Sequence, residues 1–242
     1  MEIPLIFFLT LFVGSVTEVV GHMQLYYPPP FNASNNPFTT GPADSYLQYP
    51  YNCCGRTTPY PCRGYLNLLG TPAGAPVAIW GAGSVQNFNL TGIGNHWGGS
   101  CQVGFSIDNG TSFQVTTSYE GNCPHRYGGE QPAGQNFNFT VPADMPAGNA
   151  IFAWTWFNRE QEYNMNCAAV TITKDMPEDG WASPSAVKYS DRPAMLVADD
   201  GNGCFTPLTT AEVKYPNPGP DVVPGDGVYP LELPTPADKC GY

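Results

Sequence analysis

Charge is scarce in this chain. Asp, Glu, Lys and Arg together make up 12 % of the 242 residues, about half the roughly 25 % usual in soluble domains. Nine Lys and Arg stand against twenty Asp and Glu, a net charge of −11. No basic cluster occurs, so neither nucleic acid nor a membrane surface is expected as a partner. After the first twenty residues no apolar run approaches the ~20 residues a membrane helix needs, and no hydrophobic tail signals a lipid anchor. There is no CxxC pair, which argues against a zinc knuckle. There is no GxSxG and no P-loop, and a serine hydrolase is not expected. No acidic spacing singles out a glycosidase pair, whose carboxyls must stand roughly 5–9.5 Å apart in space. Histidine is rarer still, with three residues: His22, His96 and His125.

What is abundant points to a secreted β-protein. Pro4 to Val13 is a short apolar run followed by small and polar residues, with Gly21 suited to precede a cut. Residues 1–21 therefore read as a secretory signal, and the mature chain is expected to begin at His22. Removing that leader takes away Glu2, Glu18 and no basic residue, so the net charge becomes −9. The eight cysteines (53, 54, 62, 101, 123, 167, 204 and 240) suggest four disulfides in an oxidising compartment. Cys101 with Cys123 is the best single pairing. Cys240 should staple the tail, with Cys204 as a candidate partner, and the adjacent Cys53 and Cys54 are expected to have different partners. Four sequons, at Asn32, Asn89, Asn109 and Asn138, fit a secreted glycoprotein with those segments exposed.

With 27 Gly and 26 Pro, turns are many and long helices few. Residues 22–75 read as a strand at His22–Tyr27 followed by long pinned loops. From residue 76 short strands follow one another: 76–80, 85–91, 101–108, 112–119, 135–142, 150–158 and 166–173. Asn109-Gly110 is a hairpin turn between two of them. Phe137 and Phe139 alternate with Asn136, Asn138 and Thr140, the pattern of a half-buried strand. The fold class expected is all-β, an immunoglobulin/fibronectin-like antiparallel β-sandwich with long disulfide-pinned loops. The domains expected are a signal peptide at 1–21, a β-sandwich at 22–174 that carries the functional site, and a loop-rich Pro/Gly extension at 175–242 packed on the same domain.

Copper enters the reading through His22. A histidine that begins a chain offers two nitrogens from one residue, the α-amine and ring Nδ1, which chelate one metal. A second histidine across the site, His96, completes a T-shaped set of three. Copper(II) prefers planar nitrogen ligation and heads the divalent affinity order. The amine ionises near pH ~7.7–8.0, so metal binding must displace a proton from it. His125, in NCPHRYGG, reads as an exposed loop residue.

Three blocks carry a resemblance to a known family. HMQLYYPPPF resembles the HM-x-M-x-x-P-x-PY start of the chitin-active fungal lytic polysaccharide monooxygenases, auxiliary activity family eleven. NHWGGSCQVGFSID with SYEGNCP resembles that family's second-histidine segment and hairpin, and AIFAWTWFNREQEYNMNCAAVTI its active-site strand. The blocks run in order from residue 22 to 172, about three-fifths of the chain. The resemblance implies His22 and His96 as a copper-binding histidine brace and Glu162 as an acid beside it. It also implies a residue on the copper axis three positions before Cys167, where the family has Tyr and this chain has Asn164. Tyr163 lies one residue away, which on a strand is the opposite face unless a bulge re-aims it. Asn164 then has three roles open to it: binding copper through its amide oxygen, holding a water, or leaving the position open.

By the same resemblance, an external electron donor reduces the copper, and hydrogen peroxide or dioxygen then reacts there. A C–H bond beside a glycosidic linkage of an insoluble, chitin-like polysaccharide is attacked. A flat surface should meet the polymer, with Tyr26, Tyr27, Tyr60 and Trp97 as candidate stacking residues, and the protein should act as a secreted monomer. Two other readings compete: a non-catalytic secreted copper-binding protein on the same scaffold, and a metal-free carbohydrate-binding or wall protein.

Overall fold

The computed structural model describes residues 22–174 and 187–242; the expected signal segment and the DMPEDGW stretch fall outside them. The strands are β1 (Met23–Tyr27), β2 (Ala78–Gly81), β3 (Val85–Gly92), β4 (Ser100–Ser106), β5 (Gln114–Glu120), β6 (Asn136–Thr140), β7 (Gly148–Phe157), β8 (Tyr163–Thr173), β9 (Glu212–Val213), β10 (Asp221–Pro224) and β11 (Leu231–Glu232). They form a three-stranded sheet ordered β1-β3-β6, a six-stranded sheet ordered β10-β5-β4-β7-β8-β2, and the short pair β11-β9. The two larger sheets make a β-sandwich. Every strand expected from the sequence is present, with ends shifted by up to three residues. Three pairings are parallel: β2 with β8, β10 with β5, and β11 with β9.

Residue alternation separates the two faces of the six-stranded sheet. On β7, Phe152, Trp154 and Trp156 point into the sandwich, where they meet Met23 and Leu25 of β1 and Phe88, Phe137 and Phe139 of β3 and β6. Trp80, Phe105, Phe139 and Phe152 cluster there with ring centroids 5.1–6.2 Å apart. Such pairs add roughly 0.5–1.5 kcal/mol each beyond the area they bury. On the other face Ile151, Ala153, Phe157, Tyr163, Met165 and Cys167 form a second core. Loops and tail cover it with Phe31, Tyr51, Val213, Tyr215, Cys204 and Cys240.

Disulfides pin that cover. Cys101–Cys123 and Cys204–Cys240 are joined as expected, and Cys62–Cys167 ties the first long loop to the middle of β8. The expectation for Cys53 and Cys54 fails, because the two are bonded to each other with Cα atoms 3.8 Å apart. The reason lies in the chain path: Asn52, Cys54 and Gly55 all take positive φ (58°, 62° and 73°), folding a tight turn on an exposed excursion. The other six cysteines are paired among themselves. That excursion leaves and returns beside one residue. The Phe31 amide donates to the Cys167 carbonyl (2.8 Å), and Cys62 closes onto the Cys167 sulfur.

The inward positions of β8 nearest β1 are polar, Asn164 and Asn166, both buried. β1 pairs with β3 along one edge, so backbone groups on its other edge need partners. Asn166 Oδ1 accepts from the Leu25 amide (2.9 Å), and Asn164 Nδ2 donates to the Met23 carbonyl (3.0 Å). Side-chain amides thus stitch β1 to β8 where no ladder runs.

Candidate metal centre

His22 immediately precedes β1 and is 4 % exposed. Its carbonyl accepts from the Ile93 amide (2.9 Å), which fixes the backbone against the segment after β3. His96 is carried by the turn between β3 and β4. Four consecutive residues there have positive φ: His96 (45°), Trp97 (56°), Gly98 (109°) and Gly99 (114°). Such a run persists only where surrounding structure over-determines it. Here the Trp97 carbonyl accepts from the Arg126 guanidinium, and the Trp156 indole donates to the Gly98 carbonyl (3.0 Å). The Gly99 amide donates to Glu212 Oε1 (2.9 Å). A Cβ on Gly99 would lie 2.3 Å from the Phe157 carbonyl oxygen, so no other residue fits.

These two segments bring the His22 and His96 rings to a centroid separation of 6.3 Å with planes at 65°. Two imidazoles bound trans to one metal at about 2.0–2.1 Å would have centroids roughly 6.4 Å apart. The separation of the two rings is therefore one that a single metal can span. His125 is elsewhere, half-buried and stacked on Phe137 at 4.2 Å, not a freely exposed loop residue.

Two carboxylates attend His96. Glu162 Oε2 is 3.5 Å from Nε2, and Glu160 Oε1 is 3.0 Å from Nδ1. Asn158 shapes the tight turn before β8. Its Oδ1 accepts from the Glu160 and Glu162 amides (2.9 and 3.2 Å), and its Nδ2 donates to Glu162 Oε2 (2.5 Å). Burial raises the Glu162 carboxyl above its ordinary value, against the lowering effects of the Asn158 amide and the nearby His96. Among the described residues, His96, Glu160 and Glu162 form the one group of such side chains close enough to share an ion. Glu160 was not singled out in the sequence. Its distance from Glu162 of two residues, across a turn, is the signal that could have found it.

Tyr163 and Asn164 lie on opposite faces of β8. Tyr163 points away from the histidines into the second core, packed on Phe157 (5.1 Å) and Tyr51 (5.1 Å). Burial lifts its phenol far above the ordinary range. Asn164 points toward β1, and its amide is engaged on both sides. Oδ1 accepts from Arg63 (3.2 Å), while Nδ2 donates to the Met23 and Gln48 carbonyls (3.0 Å each).

The aromatic ring against His22 is Tyr49, at 4.1 Å between centroids and 47° between planes. Nothing in the sequence marked it, because its loop carries no pattern. Of the tyrosines and tryptophan proposed to meet a polymer, Trp97, Tyr26 and Tyr60 are exposed and Tyr27 is half-buried. Trp97 and the more exposed Tyr127 meet edge to face at 6.3 Å on the outer side of the His96 turn.

No family model matches the chain. Curated relatives do. An AA11 family lytic polysaccharide monooxygenase A of Aspergillus fumigatus is 37 % identical over 188 residues, covering 76 % of this chain and 77 % of that protein. This chain belongs to the AA11 lytic polysaccharide monooxygenase family. A second A. fumigatus member, monooxygenase B, is 33 % identical over 87 % of this chain, and one from Aspergillus oryzae is 28 % identical over 88 %. This chain spans 50 % of each of those two longer proteins. Among solved structures, a cellulose-active polysaccharide monooxygenase from M. thermophila overlaps 60 % of this chain and 74 % of its own, at 14 % identity and a TM-score of 0.38. As a member of its family the protein is a copper-dependent oxidative enzyme acting on polysaccharide. Among the described residues no helix is long and apolar enough to cross a membrane.

Proposed function

We propose that the secreted protein begins at His22 and holds copper in a histidine brace formed by the His22 α-amine, a His22 ring nitrogen and the His96 ring, and that it cleaves chitin or a related wall polysaccharide. The observation that carries this is the approach of two histidines, distant in sequence, to a spacing that one metal spans. Copper held there would supply the redox chemistry that uses electrons from an external reductant and an oxygen species to oxidise a C–H bond beside a glycosidic linkage.

The chain's own residues do the rest. Glu160 beside Nδ1 orients the His96 ring and favours the nitrogen opposite as the ligand, the usual task of a carboxylate behind a metal-binding histidine. Glu162, with its raised carboxyl held by Asn158, stands on the Nε2 side, where it can accept or donate a hydrogen bond to a small oxygen species. Trp156 packs behind His96 at 5.8 Å and closes that side to water. Trp97, beside the site and exposed, offers a face on which a pyranose ring can stack. A polymer that is insoluble cannot enter a cleft, and an aromatic standing out beside the histidines suits it.

The test uses the mature protein made with a native His22 start. Copper(II) should give an axial electron paramagnetic resonance signal with nitrogen hyperfine structure. With reductant and peroxide, β-chitin should yield oxidised oligosaccharides. Loss of the signal on adding a single residue ahead of His22 is expected, and an unchanged signal would remove the amine from the ligand set. Oxidised products from cellulose but not chitin would correct the substrate.

A further inference from the structure

We propose that Tyr49 is a positioning residue for the histidine that opens the mature chain, an inference that rests on the brace reading above. The first residue of a chain is normally its least ordered. A chelate made from that residue needs both its backbone nitrogen and its ring held in one arrangement. Any fraction of molecules with the ring turned away lowers apparent affinity in proportion.

Two segments converge to hold it. On the backbone side, Ile93 donates to the His22 carbonyl, and Asn164 donates to the next carbonyl, that of Met23. On the ring side, Tyr49 lies 4.1 Å from the imidazole centroid. The Tyr49 amide donates to the Tyr46 carbonyl (3.0 Å), and its own carbonyl accepts from Arg63 Nη1 (3.0 Å). Arg63, with a buried side chain, also donates through Nη2 to the Tyr46 carbonyl (2.8 Å) and through Nη1 to Asn164 Oδ1. The same Asn164 amide that holds Met23 also donates to the Gln48 carbonyl. One side chain therefore sets the distance between the strand that follows His22 and the loop that delivers Tyr49. This gives Asn164 a task that requires an amide: two donations and one acceptance in a space no hydroxyl could serve. The tyrosine ring fixes the histidine ring and covers one side of it.

The experiment compares wild type, Tyr49→Phe and Tyr49→Ala as mature proteins, in two readouts. In the metal-free state, the His22 ring-proton resonances should carry a ring-current shift that persists in Tyr49→Phe and disappears in Tyr49→Ala. In copper titrations against a competing chelator, Tyr49→Ala should bind copper(II) roughly three- to tenfold more weakly, the size of one lost aromatic contact. Its electron paramagnetic resonance lines should broaden, while Tyr49→Phe matches wild type. Should Tyr49→Ala fail to fold, Tyr49→Leu keeps the bulk without the aromatic face and carries the same comparison. Equal affinity and identical His22 resonances in the alanine and wild-type proteins would overturn the proposal. So would a phenylalanine variant as weak as alanine, which would give the role to the hydroxyl. A wild type that shows no nitrogen-coupled copper signal would instead sink the brace reading itself.

Discussion

Glu212 should be among the most sensitive positions in the molecule, although it lies more than a hundred residues from His96. Its carboxylate and the Arg126 guanidinium are each 1 % exposed and stand 3.0 Å apart. Glu212 also accepts from the Gly99 and Asn122 amides (2.9 and 3.1 Å). Replacing it with alanine leaves two backbone donors without acceptors and Arg126 with Asp226 as its remaining carboxylate. Orphaned buried donors cost about 1–3 kcal/mol each, and breaking a buried pair from one side costs about 3–5 kcal/mol. These terms overlap, so the whole is about 3–5 kcal/mol. For a domain of this size each kcal/mol moves the melting temperature by about 2–4 °C, which gives a fall of roughly 6–20 °C. Differential scanning calorimetry of the metal-free protein reads this directly. Glu212→Gln, which keeps one acceptor oxygen, should lose about half as much. Because the Gly99 amide anchors the turn that carries His96, the alanine variant should also change the copper hyperfine pattern. A shift below about 2 °C in Glu212→Ala would refute the reasoning, since a buried pair of this kind cannot be removed from one side so cheaply.

Other outcomes follow from the same geometry. Asn164→Tyr should destabilise by about 2–4 kcal/mol, because the Met23 and Gln48 carbonyls lose their donor and a larger side chain must fit a buried position; thermal unfolding checks it. Gly99→Ala should not accumulate as soluble protein, given the Phe157 carbonyl in its path; recovery with an unchanged melting temperature would contradict this. Burial raises the phenol pKa of Tyr51, Tyr119, Tyr163 and Tyr215, so these groups stay neutral in the fold but ionise near pH 10.0 when unfolded. Their contribution is complete below that value and is lost as pH rises above it, by about 1.4 kcal/mol per group per pH unit. Denaturant midpoints should hold steady up to about pH 10 and then fall steeply; a flat profile to pH 12 would contradict it.

Legibility in the sequence followed physical pattern. β6 was readable because Phe137 and Phe139 face the core while Asn136 and Asn138 face out. β4, β7 and β8 are buried on both faces and give runs without alternation, so they were recognised by β-rich composition and turn spacing. The tail strands were missed: Asp221–Pro224 is mostly exposed and pairs along the edge of β5, a position that demands little of side chains. His22, His96 and Glu162 stand near one another and Asn164 holds the carbonyl of the residue after His22, each reached through a motif. Tyr49, Arg63, Arg126 and Glu212 were not foreseen. Their importance comes from carbonyls and amides they meet across the fold, and such partners leave no local trace.

The excursion that departs at Phe31 and returns at Cys62 has both its ends tied to Cys167 on β8, and its own two cysteines are satisfied by each other. It is therefore a cassette. A shorter or longer version can be spliced in without re-pairing any cysteine of the scaffold, provided it keeps the Leu47–Tyr51 stretch, with the Tyr49 ring, against the start of β8. Variation among relatives can accumulate there, altering what lies beside the histidines while the sandwich beneath stays as it is.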